Sequence, residues 1–250
     1  IRCLRNQYPD AQIDMIVRHD FLDLIKDNPR LNQKKALSRG EGIQGLLELY
    51  RWIQQQDYDV IYDAHRSLRT LILMPFLKAR QKFYFQKHYI KRSLALTFKI
   101  PLLKNFGRFL ERYVLPLAPL GVKYDGKGPE LFISDETLRS VALKFPITQT
   151  SQIKVGLIPS AQWPGKRWPV AHFSGAAQRL GLPVAILGTE HDRECAELEE
   201  HLKRSGVPFV SLFRGLTLRE TAQVIHGSTL LLSNDTGLVH LRSEEHTSEL

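Results

Sequence analysis

Cysteine is nearly absent from this 250-residue chain, and its two copies are poorly placed for either common structural use. Cys3 and Cys195 lie far apart, with no CxxC pair and no metal-spaced group around them. This excludes a disulfide framework and a zinc site, and it favours a reducing compartment. Long apolar runs are also missing. The best, LILMPFL at 71–77, falls well short of the roughly 18 residues needed to cross a bilayer, so a membrane contact has to be peripheral. No low-complexity tract or solenoid-period repeat occurs, and 43% hydrophobic with 24% charged residues is the composition of a folded globular chain. Acidic residues are the scarcer charge. Thirty-five Lys plus Arg against 26 Asp plus Glu leaves a formal +9, which points to an anionic partner.

The basic surplus is concentrated. From Arg66 to Arg112 there are twelve Lys or Arg and one acidic residue, Glu111, with eight aromatics between Phe76 and Phe109. Nucleic acid, acidic lipid and phosphorylated glycan each fit such a stretch, as does a solvated helical face. The two ends have their own signals. The opening IRCLRNQYPDAQIDMIV has no Met and reads as a helix end, a turn and a strand, so further sequence is expected upstream. The closing RSEEHTSEL, 242–250, resembles the direct translation of a sequencing adapter and is expected to be a non-native tail.

Length allows two α/β domains. Gln12 to Val17 alternates as a strand does, Gly42 to Gln56 places Ile43, Leu46, Leu47, Tyr50 and Ile53 at helical spacing, and Tyr58 to Tyr62 reads as a buried strand. Helices are expected over about Ser67 to Leu77 and across Tyr89 to Tyr113, the latter broken at Pro101. From Ile153 strand and helix alternate cleanly through KVGLIP, VAHFSGAAQRL, VAILG, RECAELEEHLKRS, PFVSL, LRETAQVIHG and TLLLSN. The expected organisation is one domain over 1–125, a connection over 126–150, a second domain over 151–241, and the tail over 242–250. Such alternation implies parallel sheets wound in the Rossmann manner, with ligands outside the carboxyl ends of the strands.

Three post-strand segments hold the candidates. SAQWPGKRWP carries Lys166 and Arg167 before a helix start, where loop amides and a cation can hold a diphosphate; the Walker spacing is absent. After VAILG comes TEHD, in which Glu190 can accept from ribose hydroxyls or simply favour a helix N-terminus. His191 and Cys195 are four apart but lack a third metal ligand nearby. After TLLLSN come Asp235, Thr236, Gly237, Leu238 and His240, a turn into a helix start suited to an anion or a sugar. A lone DTG in an α/β pattern is not an aspartic protease, whose dyad needs two such carboxylates.

IPSAQWPGKRWP, VAILG with TEHD, GLTLRETAQVI and LLLSNDTGLVHL, in that order, resemble the C-terminal domain of glycosyltransferase family 9, the ADP-heptose:lipopolysaccharide heptosyltransferases. YPDAQIDMIV and YDVIYDAHRSLRT resemble the family's N-terminal strand segments and an Arg-containing turn, so the likeness spans nearly all of 1–241. It implies a GT-B architecture of two Rossmann-like domains, acceptor on the first and sugar nucleotide on the second. By motif match Lys166 meets the donor diphosphate, Glu190 the ribose and Leu216 the neighbourhood of the adenine. Asp235, Thr236, Gly237, Leu238 and His240 surround the diphosphate and the heptose. Where some members carry Thr near the diphosphate, this chain has Ala161 and Gln162.

The resemblance further implies an inverting transferase with no cofactor and no metal, taking ADP-heptose as donor and an anionic lipid-linked saccharide as acceptor. The expected setting is the cytoplasmic face of the inner membrane of a Gram-negative bacterium, as a monomer without a nucleic-acid partner. The family's base resembles an Asp in a Gly-Asp pair, expected upstream of Ile1, so the catalytic residue is unassigned and the chain as given is expected to be inactive. Two rivals remain: a basic nucleic-acid-binding module using 66–112, and a non-catalytic relative with the same fold.

Overall fold

The computed structural model describes residues 1–37, 42–87, 94, 97–98, 109–144 and 154–242. Most of the expected helix across Tyr89 to Tyr113, much of the basic aromatic stretch, the end of the 126–150 connection and nearly all of the polar tail lie outside the described residues. The chain divides into two compact units. One comprises Ile1–Leu22 and Pro29–Gly128; the other comprises Asp23–Asn28 and the chain from Pro129 onward.

The first unit contains α1 (Arg2–Gln7), β1 (Met15–Arg18), β2 (Lys34–Leu37), α3 (Gly42–Gln55), β3 (Val60–Asp63), α4 (Leu68–Leu73), β4 (Gln81–Tyr84) and α5 (Glu111–Val114); α2 (Leu22–Ile25) straddles the boundary. β1 pairs in parallel with β2, and β3 with β4. One apolar cluster serves both pairs: Leu49, Ile53, Leu73, Met74 and Leu77 pack with Ile16, Leu37, Ile61 and Tyr84. The buried stripe of α3 is Gly45, Leu49 and Ile53, whereas Ile43 and Leu47 of the expected face are exposed. α4 is shorter than the Ser67 to Leu77 expectation. Pro75 lacks the N–H that would reach back to Leu71, so the helix stops before it.

The second unit contains α6 (Asp135–Lys144), β5 (Val155–Ile158), α7 (Val170–Leu180), β6 (Val184–Ile186), α8 (Arg193–Ser205), β7 (Phe209–Ser211), α9 (Leu218–Gly227), β8 (Leu230–Ser233) and α10 (Val239–Arg242). α6 occupies part of the expected connection and belongs to this unit. Its four strands are parallel in the order β7-β6-β5-β8. β5 and β6 are buried along their whole length, the pattern of strands covered on both faces. Phe173 and Ala177 of α7 and Cys195, Leu198 and Leu202 of α8 fill the same core as Val155, Leu157, Val184 and Ile186. Gly181 and Gly206, at φ 60° and 69°, close α7 and α8 in the left-handed conformation that lets the chain turn back into the next strand.

The strand order places the site. The chain steps from β5 to β6 to β7 in one direction, then returns across β5 to form β8 on the other side. At such a reversal the loops after the two strands that flank it, β5 and β8, diverge and leave a crevice at the carboxyl edge. Here those loops follow Ile158 and Ser233. Gly188, just past β6, lies against α8: a Cβ there would stand 2.5 Å from Cys195 Sγ and 2.9 Å from Asp192 Oδ2. Gly188→Ala is therefore expected to lower the stability of this unit by about 1–3 kcal/mol, read as a lower urea midpoint with an unchanged slope.

Candidate donor-binding site

The loop from Pro159 to Trp168 is closed by one side chain. Asn234, immediately after β8, is buried; its Nδ2 donates to Pro159 O (2.6 Å) and its Oδ1 accepts from Trp168 N (3.0 Å). Its own backbone N–H continues the ladder to Ile158 O at 3.1 Å. Both ends of the loop are thus fixed to the residue preceding Asp235. Within the loop, Pro164 opens a 3-10 turn, Pro164–Lys166, stabilised by Lys166 N donating to Trp163 O at 3.0 Å.

Lys166 Nζ hydrogen-bonds Asp235 Oδ2, joining the post-β5 and post-β8 segments. Both side chains are about half exposed, so the pair contributes little to folding and opens at small cost. The loop's other cation is used differently. Arg167 donates from Nε to Ala161 O at 2.8 Å and pairs through Nη1 with Glu194 Oε1 at 2.6 Å, pinning the loop to the first turn of α8. Ala161, standing where some relatives have Thr, is buried, while Gln162 is exposed.

At the end of β6 the residue built into the loop framework is Asp192. Its Oδ2 accepts from Thr189 N (2.7 Å) and from Ser160 Oγ (3.1 Å), tying this turn to the start of the Lys166 loop. Glu190 is exposed beside His191, their side chains 3.7 Å apart, at the rim of the same turn. Cys195 points inward, its thiol donating to Leu187 O at 3.5 Å. Burial, reinforced by the Asp192 and Glu194 carboxylates, pushes this thiol up to about 12, so it is an inert core group. With His191 exposed, the two do not converge on a common point. Among the described residues no group of three His, Cys, Asp or Glu has metal-binding geometry.

Leu216 and Leu238 are half-buried against one cluster, Ile158, Ala185, Leu187, Leu212 and Ile225, which forms the apolar floor on this side of the sheet. Thr236 is half-buried and Gly237 exposed; Thr236 O accepts from Val239 N at 3.2 Å as α10 begins. The side chain of His240 lies outside the described groups. The structure therefore brings Lys166 to Asp235, and Leu216 and Leu238 onto one apolar cluster, with Glu190 on the neighbouring turn. Asn234 and Asp192 were not among the sequence candidates, although both stand directly beside residues that were.

Glu220 is buried and fully engaged. It closes a capping box with Thr217, accepts from Ser140 Oγ (2.5 Å), and pairs with Lys144 Nζ (2.8 Å), joining α9 to α6. Burial alone would raise its pKa, but bonds from Lys144, Ser140 and the Thr217 N–H outweigh it and hold the carboxyl below its usual value. Arg219, also buried, holds Asp27 and Ser134 Oγ and so secures the 23–28 segment within this unit. In the first unit, Asp63 at the end of β3 accepts from His65 N (3.0 Å) and Arg66 N (2.7 Å), shaping the Arg-containing turn with Arg66 at φ 49°.

The model of glycosyltransferase family 9 (heptosyltransferase) matches residues 46–243. Lipopolysaccharide heptosyltransferase 3 of Escherichia coli is 24% identical over 259 residues, covering 99% of this chain and 76% of its own length. Lipooligosaccharide heptosyltransferase 2 of Haemophilus influenzae is 25% identical over 260 residues, covering 95% and 73%. Among solved structures, the family 9 glycosyltransferase of Veillonella parvula superposes with a TM-score of 0.78 at 20% identity, over 98% of this chain and 73% of that one. An Escherichia coli heptosyltransferase solved with ADP-2-deoxy-2-fluoro heptose gives 0.68 at 17% identity, over 97% and 79%. The fold is that of a GT-B glycosyltransferase. The chain belongs to glycosyltransferase family 9, the heptosyltransferase family.

Two substitutions probe the framework. Asn234→Ala leaves Pro159 O and Trp168 N unpaired and is expected to cost about 1–3 kcal/mol, measured by urea unfolding. Because its folded pKa is depressed, Glu220 contributes stability that is present above the unfolded carboxyl value and lost as pH falls through the folded one. Glu220→Gln is expected to lower stability by roughly 1–3 kcal/mol at neutral pH. The gap from the parent should narrow below about pH 4, in unfolding curves recorded across that range.

Proposed function

We propose that this glycosyltransferase moves heptose from ADP-heptose to the inner core of lipopolysaccharide, with inversion at the anomeric carbon. What supports the reading is the Lys166–Asp235 pairing at the β5/β8 reversal of a family 9 chain, together with the heptosyltransferase relatives. In the reaction, a general base takes the acceptor hydroxyl's proton as its oxygen bonds to the anomeric carbon, and the carbon–oxygen bond to the diphosphate breaks on the opposite face, releasing ADP. Lys166 and main-chain N–H groups of the loop take up the charge on that diphosphate, so the step as proposed requires no metal. Asp235 accepts from sugar hydroxyls as Lys166 turns to the diphosphate. Glu190 accepts from the ribose hydroxyls and Leu216 borders the adenine, while Thr236, Gly237, Leu238 and His240 complete the surround of the diphosphate and the heptose. None of the described residues is assigned as the base.

The acceptor under this reading is an anionic, lipid-linked saccharide, and the working place is the cytoplasmic face of the inner membrane, with the protein monomeric and bound peripherally. Among the described residues no helix is long and apolar enough to cross a membrane. Calorimetry with an ADP-sugar tests the donor site directly. Lys166→Ala and Asp235→Ala are each expected to weaken binding by roughly 10- to 100-fold, the loss of a charge-assisted contact. Unchanged affinity in both would remove the site assignment. A steep salt slope with DNA or RNA and no response to ADP-sugars would favour the nucleic-acid rival.

A further inference from the structure

The segment Leu68–Leu77 is apolar on two opposite sides. Leu73, Met74 and Leu77 are buried in the first unit's core, as expected of a helix resting on a sheet. Leu68, Leu71, Ile72 and Phe76 face the other way and are 80%, 41%, 63% and 68% exposed. Leu68, Leu71 and Ile72, at i, i+3 and i+4 of α4, share one face of the helix, and Phe76 adds a ring from the turn just beyond it. An ordinary surface helix is polar on its outer side, and a contiguous exposed apolar face marks an interaction site.

The outward position of Phe76 is built, not loose. Lys82 Nζ donates to Met74 O (2.9 Å) and Pro75 O (3.4 Å), Gln54 Nε2 donates to Phe76 O (3.2 Å), and Phe76 N donates to Leu73 O (3.1 Å). These bonds reach carbonyls at and just past the helix end, and they fix the backbone that presents the ring.

The charge carried by this stretch of the sequence is of one sign. Arg66, Arg69, Lys78 and Arg80 are exposed, and no acidic residue occurs between Asp63 and Glu111. Arg80 pairs with Asp59 at 3.4 Å, both largely exposed. We propose that the exposed Leu68–Phe76 face with its cationic rim is the surface on which the protein docks to an anionic lipid bilayer. Apolar side chains enter the headgroup boundary while long cationic side chains stay at lipid phosphates. Charge selects this occupant over a second copy: self-association through the face would oppose two cationic rims. The proposal rests on the reading that the acceptor resides in a membrane.

Vesicle flotation of the full chain tests it. The parent is expected to partition onto phosphatidylethanolamine–phosphatidylglycerol vesicles, weakly onto phosphatidylcholine alone, and less as salt rises. Ile72→Glu with Phe76→Glu, at two exposed positions, is expected to lower that partition by about tenfold or more with an unchanged thermal melt. Arg69→Gln with Lys78→Gln is expected to lower it by about fivefold per cation at low salt. Unchanged partition of the Ile72→Glu, Phe76→Glu variant overturns the proposal, as does a parent that ignores the anionic vesicles. A parent dimer that this variant converts to monomer, seen by sedimentation, overturns it in favour of a second copy. ADP-sugar calorimetry keeps the two readings apart: failure of the docking face leaves donor binding to the parent intact, and failure of the Lys166 assignment leaves vesicle partition intact.

Discussion

A buried carboxamide holds the second unit's ligand edge in shape. Asn234 follows β8 directly, so its position is set by the sheet, and it spends its donor on Pro159 O and its acceptor on Trp168 N. A ten-residue loop bounded in this way cannot drift relative to the strand beside it. Lys166 rides on that loop and Asp235 on the adjoining residue, so their meeting is a consequence of Asn234. An aspartate there would lose the Pro159 contact and place a charge in a buried position; an alanine would open both ends of the loop.

Around this closure the unit divides labour between apolar and polar contacts. The sheet and its flanking helices supply burial, with Leu157, Ile186, Leu198 and Leu202 inaccessible to solvent. The cross-ties that locate the loops are polar: Ser160 to Asp192, Arg167 to Glu194, Glu220 to Ser140 and Lys144. Two cations stand side by side in the loop and have opposite employment. Arg167, with a forked head that reaches two partners, is consumed by the framework, and Lys166, a single point charge in an exposed pair, is the one that can exchange its partner for a ligand.

Much of the second unit was legible in the sequence because its strands are short, apolar and punctuated. α7, α8 and α9 span the segments VAHFSGAAQRL, RECAELEEHLKRS and LRETAQVIHG. Glycines at 181 and 206 and a Thr217-x-x-Glu220 box mark three of the helix ends. The first unit was less legible. Its helices carry apolar residues on more than one face, so periodicity places Ile53 in the core as found, but includes the exposed Ile43 and Leu47 and omits the buried Leu49. At the site, the carboxylates of TEHD look alike as letters; only the fold shows Asp192 turned into the loop framework and Glu190 turned out. Asn234 escaped notice for a similar reason, since a polar residue after a strand says nothing of which carbonyl it will meet.

The 23–28 segment makes the division of the molecule differ from the division of its sequence. Six residues from the N-terminal part are covalently continuous with the first unit on both sides yet are fastened inside the second, where Asp27 neutralises the buried Arg219. Cutting the polypeptide near Gly128 and keeping only the C-terminal portion would strand a guanidinium in a site shaped around a carboxylate. The second unit is thus a composite, and its integrity depends on chain that enters from the far end of the linear order.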